Sequence, residues 1–245
     1  MLYVYAVLGD APPEPGQGLR GEPLRLLSSG SLFVAVGPME EAPPIGNDTI
    51  RRFDATVRRL ATLVEAILPV RFGTHLATER EVHERLADRQ SELSRALELV
   101  RGREQMTVRI FHHGPTTIPG KPPSPSDVSL AESGQLAFLD ASSRGDPRVG
   151  PGTQFLRARQ ETHRRAHTAP ELEPLRPLLA PLVFAERVER HDAGPLVATV
   201  FHLITCGTVA TYLEQVTATG VLTDDLRVTV TGPWPPYAFA PETLG

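Results

Sequence analysis

Two amphipathic helical patterns flank the seven-residue segment Leu68-Pro69-Val70-Arg71-Phe72-Gly73-Thr74, and this juxtaposition constrains the fold more than any other stretch of the chain. Upstream, Ile50, Phe53, Val57, Leu60, Val64 and Ile67 recur at steps of three and four, which places them on one face of a helix. Asn47 or Asp48 is the expected cap of that helix. Downstream, Thr78-Glu79-Arg80-Glu81 reads as a capping box: the Thr hydroxyl takes an orphan N–H and the Glu reaches back to the cap. Val82, Leu86, Leu93, Leu97 and Val100 continue a second apolar face, and Gly102 follows where a C′ residue favours a left-handed backbone. Between the helices, Pro69 cannot donate to a helix ladder and biases Leu68 away from the α region. Gly73 can adopt angles barred to other residues. Arg71, flanked by Val70 and Phe72, calls for a carboxylate or backbone carbonyls around its guanidinium. Two readings are open: a structural pin joining the helices, or a contact for an anion or a partner protein.

The remaining pattern gives an α+β chain of two domains. Leu2–Leu8 is a strand rich in Tyr and Val, and Leu24–Leu27 and Leu32–Val36 form a hairpin about Ser28-Ser29-Gly30. With the helical pair these three strands make an N-terminal domain, residues 1–102. From Glu104 the expected order is β-α-β-β-α-β: a strand at Glu104–Ile110, a helix at Thr153–His167, strands at Leu182–Arg190 and Leu196–Ile204, a helix at Thr208–Val216, and a strand carrying Leu226, Val228 and Val230. That is the ferredoxin-like pattern, assigned to residues 103–232. A Pro/Gly/Ser-rich insertion over 113–151 is expected to be mobile, since such composition buries too little apolar surface to offset its ordering entropy. Residues 233–245 form a tail.

Composition narrows the function classes. A net charge of −4 gives no general pull toward nucleic acid or an anionic membrane. The single cysteine, Cys206, excludes an internal disulfide and a multi-cysteine metal site, and fits a reducing cytosol. The N-terminus lacks a basic region followed by a long apolar core, so no signal peptide is read there. The longest uncharged run, Ala193–Leu213, approaches the length of a membrane span, but Gly194-Pro195, His202 and Cys206-Gly207 interrupt it, so a buried strand running into a helix explains it better.

Candidate chemistry is sparse. His163 and His167 are spaced i, i+4, but Arg164 and Arg165 between them disfavour a metal. His112-His113 borders the insertion and is read as exposed. Cys206 and His202 could serve as nucleophile and base, against the plainer reading of a small buried thiol. Phosphate-binding and dinucleotide glycine loops are absent. Trp234, the only tryptophan, lies in Thr231-Gly232-Pro233-Trp234-Pro235-Pro236-Tyr237-Ala238-Phe239. That segment either lies back across the protein, burying Trp234 and Tyr237, or presents an aromatic–proline contact surface.

The Leu68–Thr74 and Thr231–Phe239 segments, together with Leu2-Tyr3-Val4-Tyr5, the Glu104 strand and Gly152-Thr153-Gln154-Phe155-Leu156, resemble the gas vesicle accessory proteins of the F/L type over nearly the whole chain. The resemblance implies two α+β domains. It also implies a non-catalytic role, without cofactor or metal, in building a gas-filled protein shell through contact with the small hydrophobic shell subunit and possible further accessory proteins. Nucleic acid and lipid membrane are not expected partners, and a cytoplasmic location in association with gas vesicles is expected. Arg71, Phe72, Trp234 and Tyr237 are the candidate partner-binding residues. The chain departs from the family pattern at Phe53-Asp54, where a His is common, and at Cys206-Gly207, where a charged stretch is usual. Two other classes stay in view: an enzyme or ligand-binding protein using the cleft between domains, and RNA binding by the ferredoxin-like sheet.

Overall fold

The computed structural model describes residues 1–112, 168–218 and 226–241. The expected insertion at 113–151, the helix at Thr153–His167, His113 and the His163/His167 pair lie outside these residues. Two antiparallel sheets organise the chain. The first is built on β1 (Leu2–Leu8), whose residues are all buried. A strand covered on both faces reads as a continuous apolar run, and LYVYAVL is one. β2 (Arg25–Ser29) and β3 (Leu32–Pro38) form the expected hairpin, and β3 pairs with β1. On the other side of β1 lie two short strands, β4 (Ile67–Pro69) opposite Ala6–Leu8 and β5 (His75–Leu76) opposite Leu2 and Tyr3. The sheet therefore has five strands rather than three.

The two additional strands change the reading of Leu68–Thr74. The segment is not a joint between helices but an edge of the sheet. α1 (Asn47–Ala61) ends before Val64 and Ile67, because β pairing of Ile67–Pro69 with β1 claims the chain there. Its cap is Gly46, not Asn47 or Asp48, and Asp48 sits in the first turn. Ile50 is 43% exposed, so the buried face of α1 is Phe53, Thr56, Val57 and Leu60. Pro69 is tolerated because β4 is the outer strand on its side, where a missing N–H removes no ladder bond. The second helical pattern is two helices, α2 (Glu79–Asp88) and α3 (Gln90–Val100), which break at Arg89 where φ is −118° and ψ 14°. Thr78 caps α2 by accepting from the Glu81 N–H at 3.2 Å, while the Glu81 carboxylate accepts from Ala77 rather than from Thr78.

The second sheet contains β6 (Arg103–His112), β7 (Val183–Arg190), β8 (Leu196–Thr205) and β9 (Leu226–Trp234) in the order β7-β8-β6-β9. Its first and third strands are central, which is the ferredoxin-like order the sequence pattern predicts. Met106, Val108, Ile110, Val200 and Ile204 form a core with Leu172, Leu179 of the short helix α4 (Arg176–Leu179), and Tyr212 of α5 (Val209–Ala218). The sheets meet along a seam, where Leu203 of β8 belongs to the first sheet's core and Ala185 of β7 packs against it. Among the described residues no helix is long and apolar enough to cross a membrane.

Candidate interaction surface

Both distinctive segments converge on α1, from different sides. Phe53 points into the first core, 2% exposed, stacked on Tyr5 at 5.5 Å and edge-on to Tyr3 at 6.0 Å and Phe72 at 5.5 Å. Phe72 reaches this cluster because the chain leaves β1 briefly after β4. Val70 N–H donates to the Tyr5 carbonyl at 3.1 Å and Val4 N–H to the Thr74 carbonyl at 3.0 Å, so pairing resumes after three residues. The excursion is closed by the Thr74 hydroxyl donating to the Arg71 carbonyl at 2.7 Å and by the Gly73 N–H donating to the Tyr3 hydroxyl at 2.8 Å. Gly73 has φ +90°, which explains the glycine. Phe72 is thus half-buried, whereas the Arg71 side chain is exposed and its backbone forms the turn.

The neighbouring face of α1 carries Asp54 and Arg58, one turn apart and paired at 2.6 Å. The tail lies across them. Arg58 stands 4.1 Å over the Trp234 ring and donates to the Pro233 carbonyl at 3.4 Å. The Tyr237 hydroxyl donates to Asp54 at 3.0 Å. Burial, reinforced by the Asp54 charge and hydrogen bond, pushes that hydroxyl well above its ordinary pKa. On its other side the tail is tied to the second sheet: Ala238 N–H donates to the Gln105 side chain at 2.8 Å, and Arg187 donates to the Ala238 carbonyl at 2.7 Å. Tyr237, Phe239 and Ala240 pack on the first core. The tail lies back across the protein, with Trp234 and Tyr237 half-buried. Exposed ion pairs and cation–π contacts contribute only ~0.2–1 kcal/mol each, so these contacts orient the tail more than they stabilise the fold.

Tail and α1 wall a groove of about 240 Å³ at the seam. Ala61, Val64, Ile67, Trp234 and Pro235 supply apolar surface; Arg58, Glu65, Arg103, Glu104 and Cys206 supply polar edges. The charges are balanced, and among the described residues no histidine lines the groove. Cys206 is exposed at the groove's edge, not the small buried thiol its sequence context suggested, and partial desolvation there together with the Glu104 charge raises its thiol above its ordinary pKa. His202 is not its neighbour in function: it lines a separate cavity of about 330 Å³ on the helix side of the second sheet.

That second cavity holds a group of residues the sequence reading did not assemble. His202, 2% exposed, faces the Tyr212 hydroxyl at 2.6 Å and Glu186 at 3.0 Å, and Glu186 accepts from Arg176 at 3.0 Å. Glu186 and His202 are cross-strand partners in β7 and β8, a register that spacing along one chain does not reveal. The His202 hydrogen bond, aided by Arg176, holds the Glu186 carboxyl below its ordinary pKa despite burial. Each member is engaged by another member, which suits a satisfied core network as well as it suits chemistry. Among the described residues, no three His, Cys, Asp or Glu side chains are grouped to hold a metal. The face of the second sheet that would stack bases carries Leu203, committed to the first core, and Gln105, committed to the tail.

A second carboxylate sets an acid dependence. Burial raises Glu171, but two hydrogen bonds from Arg190, each 2.9 Å, outweigh it and hold the carboxyl below its ordinary value of 4.5. Glu171 and Glu186 therefore stabilise the folded state fully above their unfolded pKa and lose that contribution as pH falls through the depressed folded values. The urea midpoint is expected to drop on going from about pH 5 to about pH 3, and Glu171→Gln is expected to flatten that drop. Equal slopes in the two proteins would remove the Glu171 pair from the account.

Comparison with known proteins bears on the whole chain. A family model described as gas vesicle synthesis protein GvpL/GvpF matches residues 1–241. Gas vesicle protein L from Streptomyces sp. (strain CB03234) is 29% identical over 272 aligned positions, covering 98% of this chain and 92% of that protein. Two crystal structures share the fold. Gas vesicle protein GvpF from Anabaena sp. PCC7120 superposes with a TM-score of 0.66 at 16% identity, covering 98% of this chain and 95% of that one. GvpF from Microcystis aeruginosa gives 0.67 at 14% identity, covering 98% of each chain.

Proposed function

Because this chain belongs to the GvpL/GvpF family of gas vesicle synthesis proteins, we propose that it acts without catalysing a reaction, by contacting the small hydrophobic shell subunit to hold it or to nucleate the shell. The supporting observation is the seam groove, where the end of α1 and the Trp234 tail bring apolar walls and arginine edges together between the proposed domains 1–102 and 103–232. An amphipathic helix laid into such a groove would place apolar side chains against Val64, Ile67 and Trp234 and polar ones toward Arg58 and Arg103. Aromatic and arginine anchors carry most of the energy of contacts of this kind. Trp234 is then a direct contact, Tyr237 holds the tail in place through Asp54, and Arg71 with Phe72 offers a second contact on another side of α1, where Phe72 meets Phe53. The work is done in the cytoplasm on gas vesicles under assembly, with other accessory proteins as further partners.

Cys206 lines the groove and is the only thiol, so blocking it tests the reading without touching the fold. Immobilised protein is expected to capture purified shell subunit, and a bulky maleimide on Cys206 to weaken capture about tenfold or more. No capture by the unblocked protein, or undiminished capture by the blocked one, overturns the assignment. A second reading, a small ligand in the His202 cavity, is favoured by the depressed Glu186 carboxyl beside that cavity. It predicts that Glu186→Gln, and not the Cys206 block, abolishes function.

A further inference from the structure

We propose that the outer edge of β7 pairs antiparallel with the same strand of a second copy of this chain, about a two-fold axis at Val188. β7 is the terminal strand of the second sheet and, among the described residues, is paired on one side alone, to β8. Alternate N–H and C=O groups therefore face outward along its other side, a ready template for another strand. Native edges are blunted against such pairing by lysines, prolines or bulges. β7 has a bulge between Val183 and Ala185, but from Ala185 to Arg190 its register runs without a break and its sequence holds neither lysine nor proline.

The order of charges selects the occupant. Glu186-Arg187-Val188-Glu189-Arg190 is its own complement when reversed about Val188. Two copies in that register set Arg187 opposite Glu189 and Glu186 opposite Arg190, with the Cβ atoms of opposed residues about 5 Å apart. Sliding by two residues sets Arg187 against Arg187 in one direction and Glu189 against Glu189 in the other, and like charges directly opposite destabilise a pair. Val188 is buried in the core of the second sheet, and Glu186 and Arg190 on its face already hold His202 and Glu171. The new ion pairs thus fall on Arg187 and Glu189, both exposed. Glu189 has no partner among the described residues. Arg187 donates to the Ala238 carbonyl, and its guanidinium keeps further N–H groups for a carboxylate. Such an interface is isologous and closes at two copies. Trp234 ends β9 at the opposite edge of the sheet, so pairing at β7 leaves that wall of the groove in place. The inference stands independently of the shell subunit.

Light scattering on the full chain as it elutes from a sizing column, at micromolar concentration, is expected to give about twice the 26.7 kDa of one chain. Arg187→Glu is expected to weaken the dimer about tenfold or more, because both Arg187–Glu189 oppositions become like-charged. Adding Glu189→Arg to that variant restores opposite charges in the same register and is expected to bring the doubled mass back. The rescue separates pairing at β7 from the Ala238 contact of Arg187, which stays lost in the double variant. A single-chain mass for the wild type leaves the edge to another occupant and overturns the proposal. A dimer indifferent to Arg187→Glu, or a double variant that stays a single chain, overturns it as well.

Discussion

Phe53→Ala is expected to lower the unfolding free energy by about 3–5 kcal/mol, the range for removing a large ring from a core that cannot collapse around the gap. The ring is 2% exposed and contacts three other aromatic rings from two separate segments, so its loss leaves Tyr3, Tyr5 and Phe72 without their common neighbour. Aromatic pairs add about 0.5–1.5 kcal/mol each beyond area burial, which places this position toward the upper end. Urea unfolding followed by far-UV circular dichroism measures it. A loss below about 1 kcal/mol would mean that the cluster repacks and is not the centre of the first core.

The second large effect is at Gly232. This residue has φ +133°, and a Cβ there would sit 2.8 Å from the Gln105 carbonyl oxygen and 2.9 Å from the Met106 sulfur. The carbonyl belongs to β6 at the centre of its sheet and cannot step aside. Gly232 and Pro233 together supply the extra residue between the Thr107–Thr231 and Gln105–Trp234 pairings, a bulge just before β9 ends at Trp234. Gly232→Ala is expected to cost about 1–3 kcal/mol from backbone strain alone, with the clash in addition. Gly73→Ala is the control, since its φ is +90° but a Cβ there meets nothing within 4 Å. It is expected to cost the smaller share, ~1 kcal/mol. Equal losses at the two glycines in urea unfolding would show that the contact with β6 contributes nothing.

The longer strands were legible, unlike the short β4 and β5, because the patterns that specify them are local. The buried run of β1, the hairpin about Gly30 and the four strands of the second sheet each follow from periodicity and turn residues over a few positions. The end of α1 was not legible, because Val64 and Ile67 keep the helical step while Ile67 is drawn into pairing with β1 sixty residues away. Propensity and period yield there to a non-local partner. The same holds for Leu68–Thr74: its Pro and Gly mark a stop equally well between helices or along a sheet edge.

The site was legible in its residues but not in their arrangement. Trp234 and Tyr237 stood out as large aromatics among prolines, yet Asp54 and Arg58, which hold them, look like an ordinary i, i+4 surface pair until the tail is laid over α1. Arg71 and Trp234 belong to different sides of α1 and do not form one patch. The His202–Glu186–Tyr212 network joins two strands and a helix, and only the parity of Glu186 and His202 along their strands hinted at a shared face.

We propose that the seam groove receives the shell subunit. A short photo-crosslinker attached to Cys206, the only thiol in the chain and a lining residue of the groove, addresses it directly. Irradiated with the shell subunit, this protein is expected to form a covalent adduct, and Cys206→Ser with the probe moved to Ser91→Cys, exposed at the start of α3, is expected to form none. Adducts from Ser91→Cys alone, or equal adducts from both positions, would contradict the claim.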